Sequence, residues 1–318
     1  MFDQTNFLES PTGAKIAWHH QPTKGEGRGI VLVSHGMAEH SKRYRHFAEF
    51  LAEHNFHTYA WDHRGHGETI APDCIQGQFA RKDGALKVVA DLMAMHNFVS
   101  NQHKNLPVIL FGHAMGALVG FNALLSRPDM FKGCALWNHD FSTARSVPPL
   151  RLMLRVAAFL KGSDTPANKV TQMTYGEWAK CIEDHKTPFD RLSNDDAEVA
   201  KYIADPLCGF VCTVSMWRDL TDLVLRGVGN VELARVPHDM PLHLVGGAED
   251  PAINFGKGMN WFARHLRGSG FTNVTKIIYP RSRHETLNDI VRDEAMEDFA
   301  KWASKIAGGV QPQLAVTA

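Results

Sequence analysis

Residues 111–117, Phe-Gly-His-Ala-Met-Gly-Ala, decide the fold of this 318-residue chain. The apolar run Leu106–Phe111 just before the turn is rich in branched side chains and predicts a buried strand. Met115–Leu125 then has helical spacing and consists mostly of helix-forming residues. A strand, a tight Gly-x-x-x-Gly turn and a helix form the geometry that raises a nucleophile above a parallel sheet. Ala114 occupies the nucleophile position, so the hydroxyl of a serine is missing there.

Strand-like and helix-like segments alternate on both sides of this turn. The predicted helices are Tyr44–His54, Gly84–Gln102, Ala252–Leu266 and Asn288–Ala307. The predicted strands other than the one before the turn are Lys15–His19, Gly29–Ser34, His57–Trp61, Gly133–Trp137, Pro241–Val245 and Asn273–Tyr279. Strands that alternate with helices indicate a parallel sheet covered on both faces. These seven segments predict an α/β fold with a mostly parallel sheet, for which we expect eight strands in all.

Residues 142–236 show no clear strand and interrupt this alternation. Helical segments are expected there at Leu150–Leu160, Tyr175–Asp184, Asp195–Tyr202 and Cys212–Arg226. A helical insertion after the sixth strand would form a cap above the carboxyl ends of the strands, where open α/β sheets bind ligands. The predicted division is a core of residues 1–141 and 237–308, a cap of residues 142–236 and a flexible tail of residues 309–318. The alternative is that these helices only extend the core.

Composition excludes several classes of partner. Lys plus Arg equals Asp plus Glu, 34 of each, so no overall field favours nucleic acid or an anionic membrane. The start of the chain has no signal-peptide pattern, and no apolar run is long enough to span a bilayer. Five scattered cysteines predict reduced thiols in a cytoplasmic protein. The oligomeric state is left open by the sequence.

An acid and a base are expected after the cap, because the order along such a chain is nucleophile, acid, base. Asp250 follows the Pro241–Val245 strand and is the predicted acid, with Glu249 as the fallback. Asp140, after the preceding strand, is a further alternative. His284 lies on the loop after the last strand and is the predicted base.

Two backbone amides are expected to bind the oxyanion of an acyl-transfer reaction. One is the amide of Met115, which directly follows the nucleophile position. The other belongs to the loop after the Gly29–Ser34 strand, where Met37 is the best candidate. Gly36 would let the backbone come close to the substrate oxygen. His35 is expected to form structural hydrogen bonds.

Substrate contacts are predicted from the cap and from the end of the sixth strand. The apolar stretch from Pro149 to Leu160 exceeds what one buried face needs, and Leu150 and Leu154 are expected to contact an acyl chain. The alternative to an acyl-binding role is that this stretch is a fully packed cap helix in an esterase for small polar esters. Trp137 and Asn138, with His139, would line the alcohol side, although Trp137 suits a core position equally well.

Five motifs in a fixed order point to a family. They are His35–Ser41 with Arg43-Tyr44, Asp62–Gly67, the turn around Ala114, Asp250, and Arg283–Glu285. In this order they resemble the monoacylglycerol lipase and lysophospholipase branch of the α/β-hydrolases, over residues 6–306. The resemblance implies the α/β-hydrolase fold with its cap and serine-type ester hydrolysis, which we expect to act on monoacyl esters such as monoacylglycerols or lysophospholipids without a metal or organic cofactor. Contact with a lipid interface is compatible with it, and stable membrane insertion is not expected.

The sequence gives weaker support to other kinds of chemistry. Histidines 35, 40, 63 and 66 do not form a closed metal-ligand pattern, and the glycines after Phe111 do not match a dinucleotide motif. An epoxide hydrolase would need aspartate where Ala114 stands. A thioesterase or amidase for small acyl groups would share the whole catalytic set and stays open. We interpret Ala114 as an inactivating serine-to-alanine replacement, and the alternative is a natural pseudoenzyme that binds ligand without turnover.

Overall fold

Eight strands form one sheet in the computed structural model, which describes residues 2–308. The predicted tail 309–318 lies outside the described residues. The strands are β1 Asn6–Glu9, β2 Lys15–Gln21, β3 Gly29–Ser34, β4 Phe56–Trp61, β5 Val108–His113, β6 Gly133–Trp137, β7 Leu242–Gly247 and β8 Val274–Tyr279. Their order across the sheet is β1-β2-β4-β3-β5-β6-β7-β8. Only the β1–β2 and β2–β4 pairs are antiparallel, so the predicted fold class is confirmed.

Helices cover both faces of this sheet. The core helices are α1 Arg45–Glu53, α2 Gly84–Gln102, α3 Met115–Ser126, α10 Lys257–Gly268 and α11 Arg292–Ala307. Between β6 and β7 lie α4 Val147–Lys161, α5 Asn168–Thr171, α6 Glu177–Lys180, α7 Asp196–Ala204, α8 Val214–Gly227 and α9 Asn230–Leu233. A π-helical turn, Gln172–Gly176, joins α5 to α6. The segment after the sixth strand is therefore helical, as predicted.

Two predicted helices begin later than expected. The segment predicted as Ala252–Leu266 opens with a 3-10 turn, Pro251–Ile253, and α10 begins only at Lys257. Asn254, Phe255 and Gly256 have positive φ angles of 50°, 55° and 79°, and this left-handed backbone separates the two helical pieces. The closing helix begins at Arg292 rather than Asn288.

The hydrophobic core has two layers, one on each face of the sheet. One layer contains α2, α3, α8 and α10, and the other contains α1 and α11. Neighbouring residues of a central strand alternate between the layers, as Leu32 and Leu110 face the first and Val33 and Phe111 the second. Because both faces are covered, β3, β5, β6 and β7 are buried along their whole length.

The parallel strands place five loops at one edge of the sheet. The carboxyl ends of β3, β5, β6, β7 and β8 all lie at this edge, because these strands run in the same direction. The chain turns there just before Met37, Ala114, Asn138, Asp250 and His284. Residues that are up to 247 positions apart in the sequence are thus brought to one site.

Every helix within residues 2–308 is too short or too polar to cross a membrane.

Candidate active site

The turn between β5 and α3 holds Ala114 in a strained backbone conformation. Its φ is 49° and its ψ is −113°, outside the regions that residues with a Cβ atom ordinarily adopt. Such a conformation costs about 1–3 kcal/mol and persists only where the surroundings enforce it. The Ala114 amide donates to the carbonyl of Trp137 at 2.8 Å, and its carbonyl accepts from the Ala117 amide at 3.1 Å. The fold therefore presents the Cβ of residue 114 without help from a side-chain hydroxyl.

The glycines that flank this turn are required by close backbone contacts. A Cβ atom on Gly116 would lie 2.0 Å from the carbonyl oxygen of Ser34, at the end of β3. A Cβ atom on Gly112 would lie 2.4 Å from the carbonyl oxygen of Gly116. Neither contact can relax cheaply because both involve main-chain atoms. The Gly-x-x-x-Gly spacing thus lets α3 begin directly against the sheet.

Asp250 and His284 form the carboxylate–imidazole pair that the sequence predicts. Asp250 Oδ2 lies 2.9 Å from His284 Nδ1, and the aspartate side chain is fully buried. The other carboxylate oxygen accepts from the Ala252 amide at 2.9 Å, and Asn138 Nδ2 donates to Oδ2 at 3.1 Å. The carboxylate is thus fixed from three sides. Because Nδ1 faces Asp250, the Nε2 atom of His284 is left for the cavity that this residue lines.

The two fallback carboxylates are engaged elsewhere. Glu249 accepts a hydrogen bond from Asn194 Nδ2 at 3.0 Å, and its side chain is 43% exposed. Asp140 accepts from the Ser142 amide at 2.8 Å and caps a 3-10 turn. Among these three carboxylates, which all lie in the described part of the chain, Asp250 alone is hydrogen-bonded to His284.

Met37 and Met115, whose amides are the predicted oxyanion donors, line the same cavity as Ala114 and His284. Met115 is the first residue of α3, where backbone N–H groups have no partner within the helix. Gly36 also lines the cavity, but a Cβ atom there would lie 2.5 Å from Glu39 Oε1. The glycine is therefore needed to admit a buried carboxylate, which is a different reason from the predicted one.

The predicted structural histidine, His35, is buried and makes two backbone contacts. Its Nε2 accepts from the His63 amide at 2.9 Å, so Nδ1 carries the proton and donates to the Gly36 carbonyl at 2.7 Å. Burial lowers its pKa, and the ring stays neutral. His35 therefore fixes the loop that carries Met37.

A buried network of charges beneath the site was missed by sequence reasoning. Arg43 donates two hydrogen bonds of 2.6 Å to the carboxylate of Glu285 and one of 2.8 Å to Glu39. Glu39 also accepts from Tyr44 at 2.9 Å and faces His113 Nδ1 at 3.2 Å. The partners come from the loop after β3, the end of β5 and the loop after β8. His113 and Glu285 directly adjoin the predicted site residues Ala114 and His284, and this adjacency was the available signal.

This network favours the doubly protonated form of His113. Its Nε2 lies 2.9 Å from the carbonyl oxygen of His284, and its Nδ1 faces Glu39, so both nitrogens meet acceptors. Burial by itself lowers the pKa of His113, but the hydrogen bond and charge of Glu39 outweigh burial and raise it. Burial likewise disfavours the Glu39 carboxylate, yet His113 and Arg43 hold its pKa well below the usual range. Two carboxylates thus balance two cations.

Replacing Arg43 is expected to destabilise the fold strongly. Arg43→Gln leaves two buried carboxylates without their shared cation, which should cost about 3–5 kcal/mol of unfolding free energy. Urea unfolding at neutral pH measures this loss. Arg45→Gln is the matched control, because Arg45 is 49% exposed and its pairs with Asp3 and Glu49 lie at the surface. It should cost less than about 1 kcal/mol, and equal losses for the two variants would contradict the buried-network interpretation.

His113 should make stability depend on pH in a defined direction. A folded-state pKa raised above the unfolded value of about 6.5 gives a stabilising contribution that is complete below that pH. This contribution is lost as the pH rises through the higher folded-state pKa. The unfolding free-energy difference between the parent chain and His113→Gln should therefore be largest below about pH 6.5 and shrink in alkali. Urea unfolding across a pH series measures it, and a difference that grows with pH would contradict the charged state of His113.

A cavity of about 290 Å³ opens beside Ala114. Its lining is mainly apolar but includes the polar side chains of Asn138, His139 and His284. The apolar side chains include those of Leu118, Val147, Leu150, Trp217, Leu220 and Val224. The segment between β6 and β7 also supports the histidine loop, because the His284 and Glu285 amides donate to the carbonyls of Arg191 and Leu192 at 3.3 Å and 2.7 Å.

Of the five predicted substrate-contacting side chains, the structure brings three to this cavity. Asn138, His139 and Leu150 line it. Leu154 does not, because it is fully buried in the hydrophobic core. Trp137 is also fully buried; it packs against Phe111 and donates its indole N–H to His243 Nδ1 at 3.1 Å. Trp137 is the last residue of β6, and its side chain packs into the core layer that contains α1 and α11. Of the two predicted roles for Trp137, the structure therefore supports the core position.

Potential metal ligands lie apart from these residues. Among residues 2–308, three groups bring ligand atoms within 4.8 Å of one another, and none contains Asp250 or His284. They are His20, His57 and His103; His40, Asp205 and Cys208; and His19, Asp62 and Glu68.

The strand order, the strained turn after β5 and the carboxylate–imidazole pair define this molecule as an α/β-hydrolase. The chain belongs to the family described as "serine aminopeptidase, S33", whose model matches residues 25–290.

Curated relatives of similar length include lipases. The chain is 28% identical over 292 residues to a monoacylglycerol lipase from Mycolicibacterium smegmatis, covering 91% of this chain and 93% of that protein. It is 27% identical over 244 residues to monoglyceride lipase from Rattus norvegicus, covering 76% and 72% of the two chains. Among solved structures, a thermostable carboxyl esterase from Bacillus coagulans in complex with glycerol matches with a TM-score of 0.85 and 27% identity. That match covers 96% of this chain and 99% of the esterase.

Proposed function

We propose that this chain, once serine stands at position 114, is a carboxylic ester hydrolase for monoacyl esters such as monoacylglycerols or lysophospholipids. The observation that carries the proposal is the 2.9 Å contact between Asp250 and His284 beside residue 114 of the strained turn. The mainly apolar cavity that both His284 and Ala114 line offers room for an acyl chain. The core of residues 1–141 and 237–308 would carry the chemistry, and residues 142–236 would act as the cap.

In the proposed mechanism, His284 Nε2 takes the proton from the serine of the Ala114→Ser variant as its oxygen attacks the ester carbonyl. Asp250 holds the imidazole in the required tautomer and stabilises its charged form. The amides of Met37 and Met115 stabilise the oxyanion, at about 3–4 kcal/mol for each donor. The tetrahedral intermediate expels the alcohol, which leaves with the proton from His284. Water, activated by the same histidine, then cleaves the acyl-enzyme to release the acid and regenerate serine.

The charges at the cavity wall support a neutral ester rather than a peptide with a free amino terminus. An aminopeptidase must bind the ammonium group of its substrate, which calls for an unpaired carboxylate. Glu39 and Glu285 line the cavity, but Arg43 and His113 already neutralise them. Asp140, the third carboxylate at the wall, caps a turn. An uncharged ester needs no such anionic subsite.

The relatives of this chain include ester hydrolases, which supports the proposed class of reaction. A monoacylglycerol lipase and a carboxyl esterase crystallised with glycerol both match most of this chain. Monoacylglycerols join one acyl chain to a small polar alcohol, and the cavity has a mainly apolar lining that includes polar side chains. The cytoplasm is the proposed compartment, because all five cysteines are free thiols.

A chain-length series of p-nitrophenyl esters, assayed on the Ala114→Ser protein, tests the substrate class. We expect kcat/KM to be highest for acyl chains of about six carbons or more, because each buried methylene adds about 0.8 kcal/mol. A maximum at about two to four carbons would favour small acyl substrates instead. Leu150→Ala should weaken long esters about 3- to 10-fold more than short ones. Leu152→Ala is the control, because Leu152 is 64% exposed and does not line the cavity.

A further inference from the structure

Three histidines meet at the edge of the sheet opposite the proposed active site. His20 lies near the end of β2, His57 near the start of β4, and His103 directly after α2. All three are half-buried. The carboxyl ends of the parallel strands hold Ala114 and its neighbours, whereas His57 stands at the amino end of β4. The cluster therefore takes no part in the proposed mechanism.

The three imidazoles are close enough to bind one ion. One ring nitrogen from each residue lies within 4.8 Å of the other two. His20 Nε2 and His57 Nδ1 are 3.3 Å apart. Two nitrogens that each bind a tetrahedral zinc ion at 2.0–2.1 Å stand about 3.3–3.4 Å apart. The observed separation therefore already matches that of two ligands on one metal.

The rings are held in place by their neighbours, which favours binding without rearrangement. The Tyr59 hydroxyl lies 2.8 Å from His103 Nε2, and the Tyr59 ring stacks on His20 with centroids 4.1 Å apart. His57 packs so tightly against the backbone at Gly27 that a Cβ atom there would lie 2.9 Å from Nε2. Partners of this kind orient metal-binding histidines in known sites.

We propose that His20, His57 and His103 form a binding site for a divalent transition-metal ion of the zinc class. Three neutral nitrogens suit zinc, copper or nickel, whereas magnesium and calcium require oxygen ligands.

The ion would join three separate elements of the fold. β2, β4 and the end of α2 each contribute one ligand. Because an ion that binds only the folded chain stabilises it by mass action, zinc should raise the melting temperature of the protein. Catalysis at the opposite edge of the sheet should be unaffected.

Isothermal titration of the tag-free, EDTA-treated chain with Zn²⁺ tests the proposal. We expect one saturable equivalent, and a loss of affinity of at least about tenfold in each of His20→Gln, His57→Gln and His103→Gln. His46→Gln is the matched control, because His46 is exposed and lies outside the cluster. Absence of saturable binding, or equal affinity in the cluster variants, would overturn the proposal.

Two further measurements keep the test decisive. His40→Gln addresses the group that contains Asp205 and Cys208; if it alone abolishes binding, the three-histidine site is wrong. A Co²⁺ titration of the unaltered chain, followed by proton NMR, requires no variant to fold. It should give paramagnetically shifted imidazole signals from three residues, and shifts from fewer than three would contradict the site.

Discussion

Ala114→Ser is expected to raise kcat for a p-nitrophenyl ester by on the order of 10⁵–10⁶-fold. Removing the serine of a comparable catalytic triad costs about 2 × 10⁶ in kcat, and the remaining groups here are already placed. The strained backbone at position 114 is present without the hydroxyl, so the substitution adds one oxygen and requires no rearrangement. Initial rates of the purified parent and variant, compared at saturating ester, measure the gain.

The control for this experiment adds His284→Gln to the Ala114→Ser protein. The double variant should fall back nearly to the rate of the parent, because serine without its base is a poor nucleophile. If Ala114→Ser produces no gain while the protein remains folded and binds ester, the chain is better described as a pseudoenzyme that retains ligand.

Asp250→Asn, introduced into the Ala114→Ser protein, should lower kcat by about 10⁴-fold. The asparagine preserves shape but no longer accepts the His284 Nδ1–H hydrogen bond in the same way, so the imidazole adopts the wrong tautomer. The 2.9 Å contact and the complete burial of Asp250 leave water no route to replace the carboxylate. Steady-state rates on the same ester measure the effect.

Glu249→Gln provides the matched comparison, one residue away. Glu249 is 43% exposed and bonds to Asn194, so its loss should change kcat less than about threefold. If Glu249→Gln lowered kcat strongly while Asp250→Asn changed kcat little, Glu249 rather than Asp250 would be the catalytic acid. Similar losses for both would indicate a disturbed loop rather than a specific carboxylate.

The sequence predicts those features that depend on local geometry. The Gly-x-x-x-Gly turn after an apolar run predicts both the strand β5 and the helix α3, because few other conformations satisfy that pattern. The order of strands and helices then places Asp250 and His284 after β7 and β8, at the same sheet edge. By contrast, β1 is only four residues long and half exposed, so its apolar pattern is too short to identify a strand.

The features that escaped prediction depend on contacts between distant residues. Arg43 and Glu285 are 242 positions apart, and neither has a local pattern that indicates a buried ion pair. Trp137 was open to two interpretations because the period-2 alternation of a strand fixes its face only once the neighbouring strands are known. The late start of α10 follows from three successive positive φ angles, which helical spacing alone does not reveal.

The strained turn also bears on how such proteins diversify. At residue 114 the position of the Cβ is imposed by main-chain hydrogen bonds and by the close contacts of Gly112 and Gly116, not by the side chain. The backbone of the turn would therefore present different reactive side chains at position 114 in the same place, with no change in the surrounding fold. An exchange of serine and alanine at this position would add or remove one hydroxyl group without changing the main-chain contacts that hold the turn.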